Sequence, residues 1–234
     1  MSYLGVFLLL SLLILIHELG HLLAARITGI PVAGFSVGLG PKLWTRRWGR
    51  TEYSLRLIPL GGFVTPAADE HEFRVFPLRN RLAFFAGGPL ANILATLPLF
   101  AILNVSQRGF SLREALIAPP VQAAKALWQF LTAIPALFSN PETLSGPIRI
   151  VIEGSRFAEA GMTLELAIAL SLSLAVMNLL PIPVLDGGQI VMSCLEERFP
   201  RMIDLRAPLT LAGVLFLASA MIYVNVRDVF YLLA

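Results

Sequence analysis

Two histidines four residues apart with a glutamate between them, His17-Glu18-Leu19-Gly20-His21, form the pattern in which one helical turn carries two metal ligands and a general base. On a helix, residues i and i+4 share a face, so both imidazoles can hold one metal while Glu18, one position round, reaches the water such a metal activates. The chemistry implied is metal-assisted hydrolysis, with Glu18 taking a proton first and handing it to the leaving group later. A third ligand has to come from elsewhere in the chain. The single cysteine, Cys194, excludes an internal disulfide framework and cannot by itself build a thiolate site, so the ligands are nitrogen and oxygen. Two histidines and one carboxylate hold catalytic zinc while leaving a fourth position for water, and Asp186 is the expected carboxylate.

The element carrying the first motif is the apolar run from Tyr3 to Ala25, long enough to cross a bilayer as a helix. No basic stretch precedes it, and the motif lies inside it, which predicts a retained helix and not a cleaved leader. Insertion of a central Asp, Lys or Arg costs roughly 2.5 to 3.5 kcal/mol, so an idle Glu18 at such a position would be expensive. The 234 residues are 56% hydrophobic and 14% charged, with mean hydropathy +0.76, which describes a chain that is mostly membrane. The net charge of +3 has no aromatic-interleaved basic tract behind it, so nucleic acid is excluded as a partner.

Four spans are expected at about 3–25, 86–105, 163–182 and 208–225, making an all-α polytopic membrane protein with one catalytic core over residues 1–234. Nine Lys and Arg fall in 26–85 and three in 183–207, against five in 106–162 and one in the tail. The bias puts the first and third connections in the cytoplasm and both termini outside. In that topology His17 and His21 lie in the inner half of span 1. Span 3 also ends on the inner side, in Asn178-Leu-Leu-Pro181-Ile-Pro183-Val-Leu185-Asp186-Gly187-Gly188. Its two prolines break the helix, and irregular backbone at membrane depth requires surrounding protein or a water-filled cavity. Asp186 then falls at the depth of the histidines. Asn178, near the end of span 3, is placed to hold substrate backbone or a tetrahedral oxyanion. Residues 51–64 alternate imperfectly and end near Gly61 and Gly62, predicting a hairpin-like element whose edge pairs with an extended substrate. Residues 111–139, with Leu116, Val121, Leu127, Phe130, Leu131 and Ile134 at helical spacing, predict an amphipathic helix on the outer membrane face.

The two motifs together resemble the site-2 protease family of intramembrane zinc metalloproteases. Phe35–Pro41, Pro59–Phe63, Gly88–Asn92, Leu144–Pro147 and Asn225–Asp228 are similar, in order, to segments of its bacterial envelope-stress branch. The resemblance implies Zn2+ as cofactor and a peptide bond in or near the membrane helix of a single-pass protein as substrate. It also implies regulated intramembrane proteolysis and residence in a bacterial inner membrane with the active site towards the cytoplasm. It supports Asn178 in substrate handling, makes the 51–64 hairpin a membrane-associated β-loop, and gives Asn92 as a further polar contact in the bundle interior. One departure is the stretch 106–162, which leaves no room for the PDZ domains that branch usually carries between its second and third spans.

Simpler roles compete at each position. Paired histidines form helix–helix hydrogen-bond clasps, Asp186 suits a helix N-cap, and Asn92 and Asn178 suit interhelical glue. His71, in an acidic stretch, reads as a solvated loop residue, and Arg46, Arg47 and Arg50 as contacts for anionic lipid. Two other functions fit the motifs less well. A metal transporter needs polar groups along a full path, whereas here they cluster at one depth. A silent relative that binds membrane helices without cutting them would typically lack Glu18 or a ligand, and none is missing.

Overall fold

The computed structural model describes residues 3–139 and 146–233. The first helix, α1 (Tyr3–Thr28), ends at Gly29, whose positive φ of 75° is the left-handed stop that glycine adopts at no steric cost. The Ile30 N–H closes back on the Ala25 carbonyl at 2.9 Å, and Pro31 prevents continuation.

Two long strands follow, β1 (Val32–Trp48) and β2 (Thr51–Pro66), paired antiparallel around the tight turn at Gly49. Their register shifts repeatedly: Gly34 stands opposite both Glu52 and Thr65, and Val37 opposite both Leu55 and Gly62. The start of β1 is thus flanked by β2 on both sides, and residues 62–66 form a separate outer segment. The element begins some twenty residues earlier than the alternation over 51–64 predicts. Gly34, Gly38, Gly40 and Pro41 interrupt the period-two pattern of β1 and hide it. Leu22, Ala25, Ile30, Val32, Phe35, Phe73 and Phe84 form the apolar cluster that fixes this sheet to the C-terminal end of α1.

The short helix α2 (Glu70–Val75) opens with a capping box between Asp69 and Glu72, so the stretch holding His71 is helical and not a loop. Then comes α3 (Leu78–Arg108), whose glycines allow close contact with α1. A Cβ on Gly20 would overlap the Gly87 carbonyl, and one on Gly87 would come within 2.6 Å of the Gly20 carbonyl. Small residues are how membrane helices bring their backbones together without a hydrophobic driving force.

A π-helical turn (Arg113–Ile117) leads into α4 (Ala118–Ser139) over the segment expected to be amphipathic. Asn104 of α3 and Gln122 of α4 exchange hydrogen bonds of 2.8 and 3.0 Å and clamp the two helices together. Leu144 and Ser145 lie outside the described residues. Beyond them, α5 (Pro147–Glu159) starts with the Gly146 N–H donating to buried Asp228 at 2.7 Å. The chain continues through α6 (Thr163–Asn178), α7 (Asp186–Arg198), a 3-10 turn (Pro200–Met202) and α8 (Ile203–Leu233).

Among the described residues three helical segments are long and apolar enough to cross a membrane: Tyr3–Thr28, Leu78–Arg108 and Pro200–Phe230. The third expected span is shorter. Helix α6 has 16 residues, about 24 Å at 1.5 Å per residue, less than the roughly 30 Å hydrocarbon core. It stops at Asn178 because Pro181 and Pro183 cannot continue the helical ladder. Large apolar side chains such as Leu12, Leu94 and Phe216 point outward on these helices, more than half exposed. Such surfaces are stable in contact with lipid and not with water, and the chain is an integral membrane protein.

Candidate metal centre

Helix α1 places His17, Glu18 and His21 on its buried side, at 8%, 9% and 6% exposure. The broken segment after α6 brings Asp186 to them. Two glycines make this approach possible: a Cβ on Gly187 would overlap the Leu179 carbonyl, and one on Gly188 the Ile182 carbonyl. The start of α7 therefore tucks against the 179–183 turn as no side-chain-bearing residue would allow. Asp186 is the first residue of α7, the cap position is Leu185, and no side chain caps the helix. Its carboxylate is directed at the histidines instead.

The three ligand-type atoms form a tight triangle. His17 Nε2 lies 3.1 Å from Asp186 Oδ2, His21 Nε2 lies 3.3 Å from the same oxygen, and the two Nε2 atoms are 3.2 Å apart. Ligands about 2.1 Å from a tetrahedral zinc are separated by about 3.4 Å, so the triangle has the size of one face of that tetrahedron. Two neutral imidazole lone pairs converging at this distance repel unless a cation or a proton lies between them. The outer nitrogens agree with a metal-facing Nε2. His21 Nδ1 donates to the Phe84 carbonyl at 2.8 Å, leaving its Nε2 lone pair directed into the triangle. His17 Nδ1 lies 3.5 Å from the side-chain amide of Asn92, whose Oδ1 is buried without a partner. Turning that amide over presents the oxygen to the ring N–H and fixes the same tautomer. Gly88 adds a spatial observation, since a Cβ there would fall 2.6 Å from His17 Nε2 and into His21 Nε2. The donor set, its spacing and its cradle fit zinc.

Glu18 shares with His17, His21 and Asp186 the lining of a cavity of about 350 Å³, bordered also by Gly62, Phe63, Val64, Asn178 and Gln189. The outer segment of β2 thus borders the site, and a Cβ on Gly62 would lie 2.7 Å from Glu18 Cγ. Gly61 adopts a positive φ of 93° against Leu39 and sits one residue away from this wall. Asn178 borders the cavity with one amide N–H donated to the Leu174 carbonyl at 2.9 Å. Asn92 is placed differently from a substrate contact: it is 0% exposed, behind His17, and its backbone carbonyl accepts from Ser171 at 2.8 Å.

Four participants escaped the sequence reading. Phe84 acts through a backbone carbonyl, which no side-chain pattern reveals, and Gly20 and Gly87 act by lacking a side chain. Gln189, three residues past Asp186, lines the cavity and was legible only as a polar residue on the same helical turn.

Comparison with known proteins points to zinc-dependent proteolysis as the family's chemistry. The sequence model of Peptidase family M50 matches residues 5–221. A Nostoc protein named "Putative zinc metalloprotease" is 39% identical over 140 residues, covering 53% of this chain and 38% of that protein. A Synechocystis protein of the same description is 26% identical over 339 aligned residues, covering 94% of this chain and 92% of the relative. That alignment is longer than this chain, so the relative carries internal residues that have no counterpart here. A chloroplastic membrane metalloprotease of Arabidopsis thaliana is 30% identical over 65% of this chain and 34% of its own length. The chain spans well under half the length of the Nostoc and Arabidopsis relatives.

Proposed function

The chain belongs to Peptidase family M50, and on that premise we propose that it is a zinc-dependent intramembrane endopeptidase. Its substrate is a peptide bond within or near the membrane helix of a single-pass protein, the chemistry of regulated intramembrane proteolysis. The observation that supports this reading best is the convergence of Asp186 on His17 and His21, from 165 residues beyond His21, into one triangle beside Glu18.

His17 and His21 would hold zinc through Nε2 and Asp186 through Oδ2. Bound there, zinc supplies a Lewis acid that polarises the scissile carbonyl and acidifies water. Glu18 lies in the cavity wall with its carboxylate free of hydrogen-bonding side chains among the described contacts, so it is placed to accept the proton of attacking water and return it to the departing amine. Asn178 retains a second amide N–H and its oxygen for the substrate backbone or the developing oxyanion. A substrate helix hides its carbonyls in its own hydrogen bonds and must be extended before attack. The segment 62–64, on the outer side of the sheet and lining the cavity, offers backbone groups to pair with that extended strand. The positive charge of connections 26–85 and 183–207 supports a cytoplasm-facing site with both termini outside, in a bacterial inner membrane.

Purified protein incubated with a single-pass membrane substrate tests the reading. Cleavage in the apolar segment is expected for the parent and absent from Glu18→Gln with zinc still bound. Equal cleavage by Glu18→Gln would remove Glu18 from the mechanism.

A further inference from the structure

The turn that delivers Asp186 has few backbone hydrogen bonds of its own. Between Asn178 and Asp186 the chain makes short turns, Ile182 N–H to Leu180 and Leu185 N–H to Ile182, both 2.8 Å, and carries two prolines that donate nothing. Gln189 holds it from outside. Its side-chain N–H donates to the Pro183 carbonyl, and its side-chain oxygen accepts from Arg206 of α8. Both ends of the amide are therefore engaged, although Gln189 borders the cavity, so it does not serve as a substrate contact.

Arg206 is itself fixed. Its guanidinium grips Glu196 through 2.9 and 3.0 Å bonds, and Glu196 is 5% exposed. Around that carboxylate stand Arg74 of α2 at 3.6 Å and Arg81 of α3 at 4.0 Å, with Arg81 also bonded to Glu197 at 2.6 Å. A buried carboxylate among three guanidiniums is costly to assemble and strongly destabilising to break, so the set is stiff. From α2, α3 and α8 a continuous path of ion pairs and hydrogen bonds runs through Gln189 to the backbone three residues before Asp186.

We propose that Gln189 and Arg206 are positioning residues for the metal centre, setting the carboxylate of Asp186 against His17 and His21. The inference rests on the zinc-ligand assignment made above. Groups hydrogen-bonded to a metal ligand commonly tune metal affinity by about 10 to 100-fold, which is the upper bound for a residue that holds the backbone three positions before the ligand.

The test is zinc affinity of full-length apoprotein in detergent, by chelator competition, with the cobalt absorption spectrum as a second readout and melting of the apoprotein as a control. Gln189→Glu keeps an acceptor for Arg206 but loses the donor to Pro183. It is expected to weaken zinc by more than about twofold and at most about 100-fold, and to shift the cobalt bands, with apoprotein melting unchanged. Arg206→Ala is expected to weaken zinc to a similar degree and, because it strips the buried Glu196 carboxylate of its closest partner, to lower apoprotein melting as well, with Arg206→Lys recovering most of both losses. Asp186→Ala separates the two levels: if it leaves zinc affinity unaltered, the ligand assignment fails and this inference with it. If Asp186→Ala weakens zinc while Gln189→Glu and Arg206→Ala stay within twofold of the parent, the positioning role alone is overturned.

Discussion

Replacing Gly88 by alanine places a methyl group against the two imidazole nitrogens that face the proposed metal. The added carbon would lie 2.6 Å from His17 Nε2 and 2.7 Å from His17 Cε1, inside the 3.0 Å that real Cβ contacts keep and short of the 3.4 Å at which ordinary contact begins. Neither ring yields easily: His21 is tied to the Phe84 carbonyl at 2.8 Å, and α3 is pinned to α1 by the Gly20–Gly87 contact. Relief needs a displacement of about 1 Å at the ligands, an error that costs about 100-fold in rate. That corresponds to about 2.7 kcal/mol of lost transition-state stabilisation. Alanine favours a helix interior over glycine by about 1 kcal/mol, so helix propensity does not work against folding. The assay is chelator-competition zinc affinity beside kcat/KM for a membrane substrate. Gly34→Ala is the control, since its Cβ would meet nothing nearer than Thr65 Oγ1 at 3.6 Å. Parent-like zinc affinity and activity in Gly88→Ala would refute the placement of the metal against this glycine.

Removing zinc with a chelator should abolish cleavage and lower the melting temperature, and added zinc should restore both, because a ligand that binds the folded state alone stabilises it. Gly20→Leu should force α1 from α3 and destabilise the fold by about 1 to 3 kcal/mol or more, read as earlier unfolding in a denaturing detergent series. Asn104→Leu leaves Gln122 without its buried partner and should cost about 1 to 3 kcal/mol in the same assay. Glu52 accepts a hydrogen bond from Lys42, and that bond and charge hold its carboxyl below the usual range. Its folded-state pKa is depressed, so the pair's stabilisation is present above the unfolded value and lost as pH falls through the folded one. Carbon-detected NMR should show the low titration, and Lys42→Ala should raise it towards the ordinary carboxylate range, with Arg47 and Arg56 still lowering it.

The convergence of His17, Glu18, His21 and Asp186 was legible because each half of it is local. One helical turn holds His17, Glu18 and His21, and an eight-residue segment after Asn178 holds both the helix break and Asp186. Residues that act through absence or across long separations were not legible. Gly88, Gly20 and Gly87 matter for the side chain they lack, and Arg206 meets Gln189 and Glu196 through folding of α8 against α7. Helix boundaries shifted for a related reason. Helix α3 begins at Leu78, well before the expected 86, because Arg81 is buried on Glu196 and Glu197 and so does not mark a membrane boundary. Asn92, expected as a polar contact in the bundle interior, lies there 0% exposed, with its amide 3.5 Å from the outer ring nitrogen of His17. The sheet was half visible, β2 by its alternation and β1 concealed by its glycines.

The most direct measurement is zinc K-edge X-ray absorption on the purified protein with its metal content, for the parent and Asp186→Ala. The proposed ligand set predicts one zinc per chain with two imidazole nitrogens and a carboxylate oxygen at about 2.0 to 2.2 Å, and loss of that oxygen in the variant. A zinc-free parent, or an unchanged spectrum in Asp186→Ala, would contradict it.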